Sequence, residues 1–339
     1  MDERNGTAGR RGPSRRAVLA GGLAGGLAGG LALPLAGCQE PGRQDALRIM
    51  VPTPPGGGFD HTARTLASVI EEIGAVPDVT VFNLAGSTGT AALARLVYER
   101  GAADLLLQMG LGLVANTHVD TAADSVTEAT PVARLIEEPE ALMVPADSEY
   151  ATIGDLVAAW QADPGAMRIG GGSTPAGPDH LVTMLLAEEL GIDPGAVVYH
   201  SYDGGGPMQA ALMGHALDFA AAGPSEQRAA IDSGQLRVLA VTAAEADPGL
   251  DAPTLREAGI DLEFMNWRGL LAPPGLDEDD LAWLLALVER VHASPEWAER
   301  LARNRWTDAY LAGEDFAVFL AEEDERTGRT LERIGLADG

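Results

Sequence analysis

Four short stretches set glycine beside hydroxyl or acidic residues. They are Pro54-Pro55-Gly56-Gly57-Gly58, Ala85-Gly86-Ser87-Thr88-Gly89-Thr90, Gly170-Gly171-Gly172-Ser173-Thr174 and Tyr202-Asp203-Gly204-Gly205-Gly206. Each follows a short apolar run and precedes an amphipathic one, so each reads as a turn from strand into helix. A helix start exposes unpaired backbone N–H groups and a partial positive charge, which together bind anions. Glycine lets the backbone approach a ligand closely. Ser87, Thr88, Thr90, Ser173 and Thr174 add hydroxyl donors. Four such starts around one cleft could hold a ligand with two or three carboxylates without lysine or arginine. A single turn of this kind is ordinary turn chemistry; four in one chain form a pattern. Neither the first nor the third has the spacing of a Walker or dinucleotide motif.

Other residues leave their roles open. Asp60 and Asp179 can cap a helix or meet a hydroxyl or amine of a ligand. Arg268 can pair with a ligand carboxylate or with an internal acid. Ser225 follows Gly223-Pro224 and either caps a helix or touches ligand. Trp267 reads as core packing. Six histidines are present (His61, His118, His180, His200, His215 and His292), and none pairs with another at zinc-ligand spacing. His180 stands apart because it follows Asp179. No Gly-x-Ser-x-Gly elbow occurs, and no acid pair has a reacting group beside it. No catalytic residue, metal or cofactor is expected.

The elements that must position these residues are legible as alternation. Strands are expected at 47–53, 79–83, 105–109, 132–136, 141–145, 167–170, 197–200, 217–221 and 236–242. Helices are expected at 59–74, 91–99, 152–161, 177–190, 207–213 and 225–233, with three more amphipathic segments after Asp277. In the first helix Phe59, Ala63, Leu66, Ala67, Ile70 and Ile73 share one face. The pattern implies an α/β fold with a mostly parallel sheet.

The 339 residues carry 23 basic and 50 acidic side chains, a formal net charge of −27, and contain no lysine. So acidic a chain is a poor nucleic-acid binder. One cysteine, Cys38, excludes a disulfide framework. The first residues form an address: Arg15-Arg16 meet an apolar stretch that ends Leu35-Ala36-Gly37-Cys38. This is the layout of a twin-arginine export signal closing on a lipobox. The expected product is a chain lipidated at Cys38, tethered by residues 38–44 to the outer face of the cytoplasmic membrane.

From Leu47 onward the sequence resembles the substrate-binding receptors of tripartite tricarboxylate transporters, in the tricarboxylate-binding branch. The likeness rests on Leu47-Arg48-Ile49-Met50-Val51-Pro52-Thr53-Pro54-Pro55-Gly56-Gly57-Gly58-Phe59-Asp60 and on Gly170–Ser173 with Asp179-His180. It extends through Leu236–Thr242, Asn266-Trp267-Arg268-Gly269-Leu270 and Trp306–Leu311. The resemblance implies a type II periplasmic-binding-protein fold, with two Rossmann-like lobes hinged about a central cleft. The lobes would be residues 45–143 plus 243–339, and 144–242. It further implies that Gly57, Gly58, Phe59 and Asp60 contact one carboxylate, partly through water, with Ser87, Thr88 and Gly89 at the same end. Gly172, Ser173, Asp179 and His180 would hold the other end, and Gly110, Tyr202, Gly204 and Ser225 would complete the site. The second loop departs from the glycine-rich form of relatives, and its bulkier Ser87 and Thr88 bear on which acid fits. The implied role is a monomeric receptor that delivers a citrate-like di- or tricarboxylate to the transporter's membrane subunits. The alternatives are another small ligand (an amino acid, aromatic acid or amide), a receptor serving a sensor kinase, and an α/β enzyme acting on a carboxylic acid.

Overall fold

The computed structural model describes residues 45–120 and 123–337. In chain order the elements are β1 (Ala46–Val51), α1 (Gly58–Glu72), β2 (Asp78–Asn83), α2 (Thr90–Tyr98), β3 (Leu105–Gly110), α3 (Leu111–Val119) and β4 (Thr130–Pro139). Next come β5 (Ala141–Pro145), α4 (Ile153–Ala162), β6 (Arg168–Gly171), α5 (Pro178–Glu189), β7 (Val198–Ser201), α6 (Gly205–Met213), β8 (Phe219–Ala222), α7 (Arg228–Asp232) and β9 (Leu236–Val241). The chain closes with β10 (Met265–Ala272), α8 (Glu278–His292), α9 (Pro295–Asn304), β11 (Thr307–Ala312) and α10 (Glu314–Arg333).

Two sheets organise these elements. One has the order β11-β4-β10-β3-β1-β2, the other β7-β6-β8-β5-β9. Each anchors one lobe. Strand β3 is buried along its whole length, as a central strand covered on both faces must be. The α1 face anticipated from periodicity is the one that packs: Ala63, Leu66, Ala67 and Ile70 are buried with Leu47, Ile49 and Val51 of β1.

The sheets are mixed, which corrects the expectation of mostly parallel pairing. Strands β1 and β6 pair in parallel with both neighbours, whereas every pair that includes β4, β5 or β10 is antiparallel. These three strands flank the passages between lobes, where no crossover helix returns the chain to its starting edge. The passages run through Glu140 and Thr242, side by side. Thr242 N–H donates to Glu140 O at 2.9 Å, and Glu140 N–H donates to Thr242 Oγ1 at 2.8 Å. The Thr242 hydroxyl in turn donates to Phe264 O at 2.6 Å. Buried backbone groups at the hinge are thereby satisfied by one threonine.

Helix α3 and strands β10 and β11 were not anticipated as elements. Residues Leu111 to Asn116 of α3 are all buried, so the helix has no polar face to reveal a period. Helix α7 is shorter than expected, and Ser225 and Glu226 lie ahead of it.

Candidate functional site

Helices α1, α3, α5 and α6 each start where a strand of one sheet ends, and all four starts contribute to one cleft between the lobes. Their N-cap residues are Gly57, Gly110, Gly177 and Gly204, and none supplies a side-chain cap. Helices α4, α8 and α9, which contribute no lining residue, are capped by Thr152, Asp277 and Ser294 through hydrogen bonds to their first turns. Among the described residues α2 and α10 also start on uncapped glycines, Gly89 and Gly313, and neither helix contributes a lining residue. Serine, threonine and aspartate caps are worth about 1 kcal/mol each. The cleft helices forgo them, so no N-cap side chain covers their first-turn N–H groups. That cavity occupies about 790 Å³, including space open to solvent.

The lobes are closely apposed around it. A Cβ placed on Gly112 of α3 would stand 3.2 Å from Pro178 Cδ of α5, and one on Gly204 would stand 3.9 Å from Gly57 Cα. Asn116 bridges the lobes: its Nδ2 donates to Thr88 O at 2.9 Å and to Thr174 Oγ1 at 3.1 Å. Gly172 has no room for a side chain, since its Cβ would meet Gly204 C and Gly205 N at 2.7 Å.

Of the residues anticipated at the site, Gly57, Gly58, Phe59, Thr88, Gly172, Ser173, Asp179, Tyr202 and Gly204 line the cleft. Six others are placed outside the lining, each for a visible reason. Asp60 braces the first loop: its Oδ2 accepts Gly56 N–H at 3.0 Å and Arg64 Nε at 2.9 Å, and its Oδ1 accepts Asn83 Nδ2 at 2.9 Å. Burial pushes this carboxyl up, but Arg64, Asn83 and the Gly56 amide together outweigh it and hold it below the usual value. Ser87 offers its carbonyl to the Thr88 and Thr90 hydroxyls at 2.7 and 2.8 Å. Gly89 adopts φ +101° and its Cβ would press on Pro52 at 3.2 Å. A Cβ on Gly110 would collide with Trp267 O. His180 Nδ1 accepts Ala176 N–H at 3.0 Å while the ring stacks on Tyr199 at 4.2 Å; burial pulls it down to about 4, so it is neutral. Ser225 donates to Glu138 Oε2 at 2.6 Å and accepts Trp306 Nε1–H at 3.3 Å, tying the second lobe to the first.

Asp179 lines the cleft but is also committed. Its Oδ2 accepts Gly172 and Ser173 N–H at 2.6 and 3.1 Å, and Ser173 Oγ accepts Asp179 N–H at 3.2 Å. Burial raises this carboxyl to about 6 against those amides. Arg268 is paired internally, the second of its two open alternatives, and it also lines the cleft. The guanidinium is 2% exposed and lies 2.6 Å from Glu138 and 3.3 Å from Glu226. Trp267 is core: it packs edge-on against Phe316 and Phe319 and donates to Glu323 at 3.0 Å.

The acids beneath the cleft escaped sequence reasoning. Glu138, Glu140 and Glu226 surround Arg268 from β4, the hinge and the segment before α7. Burial raises Glu140 well above its usual range, reinforced by Asp179, Glu138 and Glu226. Burial likewise pushes Glu226 up to about 8, against the pull of Arg268. The visible signal was Glu137-Glu138-Pro139-Glu140 set between two apolar strands. No group of three or more metal-ligating side chains occurs among the described residues. Cys38 lies outside them.

Comparison with known proteins agrees with this geometry. The profile described as tripartite tricarboxylate transporter family receptor matches residues 63–336. A protein of Pseudomonas sp. strain P51, from the tcbD–tcbE intergenic region, is 29% identical over 284 residues, covering 82% of each chain. The periplasmic binding protein BugD superposes with a TM-score of 0.78 at 20% identity, covering 87% of this chain and 99% of its own. An R. palustris protein solved with adipate superposes with a TM-score of 0.79 at 22% identity, covering 86% and 98%. Two lobes closing on a cleft, with a profile match over most of the chain, make this protein a member of the tripartite tricarboxylate transporter receptor family.

Proposed function

We propose that the protein captures a small organic carboxylate, a di- or tricarboxylate of the citrate kind, and delivers it to the membrane subunits of a tripartite transporter. The observation that carries this reading is the convergence of four glycine-started, uncapped helices on one cleft. Backbone amides and helix dipoles bind carboxylate without a dedicated cation. That suits a lining whose arginine is already paired. The adipate held by the R. palustris protein supports an acid ligand. Family members are extracytoplasmic receptors rather than enzymes, and this chain acts in the same place. Lipidation at Cys38 would keep it at the membrane surface as a monomer beside its transporter.

The test is thermal unfolding of residues 45–339 against citrate, isocitrate, tricarballylate, succinate, malate, adipate and glutamate. A ligand at about 100 times its dissociation constant adds roughly 2.7 kcal/mol, which shifts the midpoint by several degrees. A selective shift with one acid is the expected result. No shift with any acid would refute the carboxylate assignment.

A further inference from the structure

A ligand carboxylate at the first-lobe end of the cleft would need the first-turn amides of α1 and the guanidinium of Arg268. Both already meet a carboxyl group of the protein. Glu226 Oε1 lies against Gly58, the first residue of α1, and 3.3 Å from Arg268 Nη2. It belongs to the second lobe, between β8 and α7. Its far oxygen abuts the start of α6, where a Cβ on Gly205 would stand 2.9 Å from Glu226 Oε2. A Cβ on Gly58 would collide with both Glu226 Oε1 and the guanidinium. The carboxyl thus sits between two helix starts from opposite lobes, where the charged end of a ligand would go.

The segment that carries it is pinned on both sides. Ser225 is bonded to Glu138 and Trp306, and Gln227 Nε2 donates to Gly205 O at 3.2 Å. Polar groups beside it are left over for a ligand. Arg268 Nε, Asn266 Oδ1 and Thr53 Oγ1 are buried without a hydrogen-bond partner, and all three residues line the cleft. Arg268 is 2% exposed and Asn266 5%. Buried polar atoms rarely stay unpaired, so these mark where ligand atoms complete the site around a position that Glu226 has filled.

We propose that Glu226 is a specificity-determining residue that stands in for one ligand carboxylate, so the cleft accepts an acid with one carboxylate fewer than its helix starts could hold. This rests on the carboxylate reading above. It predicts that the native protein favours dicarboxylates over tricarboxylates.

Glutarate and tricarballylate test it, since they share a five-carbon backbone and differ by one carboxylate at the central carbon. Calorimetric titration of each acid into the native protein, Glu226→Gln and Glu226→Ala compares selectivity rather than affinity. The native protein should bind glutarate more tightly. Glu226→Ala, which vacates the position, should shift the glutarate-to-tricarballylate ratio toward tricarballylate by tenfold or more. Glu226→Gln keeps the side chain's bulk and should shift it less, and this variant keeps the test open if the alanine variant misfolds. The inference is overturned if the native protein prefers tricarballylate, or if both variants change the two affinities by the same factor. Absence of binding by every protein to both acids would overturn the carboxylate reading and this inference together.

Discussion

Glu226 also makes stability depend on pH in a window where few other groups titrate. Its carboxyl moves from a usual value of 4.5 to about 8 in the folded protein, because burial outweighs Arg268, with Glu138 and Asp179 adding to the rise. A raised folded value means that the native state holds the proton more tightly than the unfolded chain does. The contribution is fully present below pH 4.5 and is lost as pH rises through 8. His180 works the other way: its value falls from 6.5 to about 4, so its contribution is lost as pH drops from 6.5 through 4. Asp179, raised from 3.8 to about 6, is mostly but not fully ionised at pH 6.5 and adds a small loss in the same direction just above it. Between pH 6.5 and 8 most of the slope therefore comes from Glu226, with Asp179 and Glu140 contributing in the same direction. At 1.36 kcal/mol per unit, 1.5 units amount to about 2 kcal/mol of lost stability, or about 4 °C for a chain of this size. Thermal midpoints of residues 45–339 at half-unit pH intervals, for the native protein and Glu226→Gln, measure it. The native midpoint should fall by about 4 °C across the window and the variant's by clearly less. Equal slopes would refute the claim that Glu226 is held protonated by burial.

Three further outcomes follow from the geometry. Gly172→Ala would force a Cβ against the Gly204–Gly205 backbone at 2.7 Å, so it should cost about 1–3 kcal/mol in denaturant unfolding and abolish the thermal shift with ligand. Asn116→Ala removes the side chain that joins Thr88 to Thr174 across the cleft; at about 1 kcal/mol for the lost bond, calorimetry should show affinity weakened roughly fivefold. His180→Phe keeps the ring stack on Tyr199 but strips the Ala176 N–H of its acceptor, so stability at pH 7 should fall by about 1–3 kcal/mol, and the acid-side loss assigned to His180 should disappear.

What could be read from the sequence, and what could not, divides along a physical line. The turns from strand into helix at Gly57 and Gly204 were legible because glycine and the change of hydrophobic period are local signals. The same locality made Asp60 and Asp179 ambiguous, since an acid in the first turn of a helix serves equally as brace or contact. Only the positions of Asn83 and of the Gly172 amide reveal that these acids hold their own loops. That Glu138 and Glu226 share one arginine was out of reach for a different reason. They are 88 residues apart and meet only because Arg268, from a third segment, is placed between them by pairing of β10 with β4. Helix α3 was missed because burial of its first six residues, Leu111 to Asn116, erases amphipathic contrast. This protein thus displays its glycine-started helices in sequence and conceals the acids packed against them. A reading of ligand charge from the glycine loops alone counts donors without the internal carboxyls beside them, so on the inference drawn from Glu226 it overstates the charge of the ligand. Ligand assignment for this protein therefore has to start from the residues paired with Arg268 and only then from the loops.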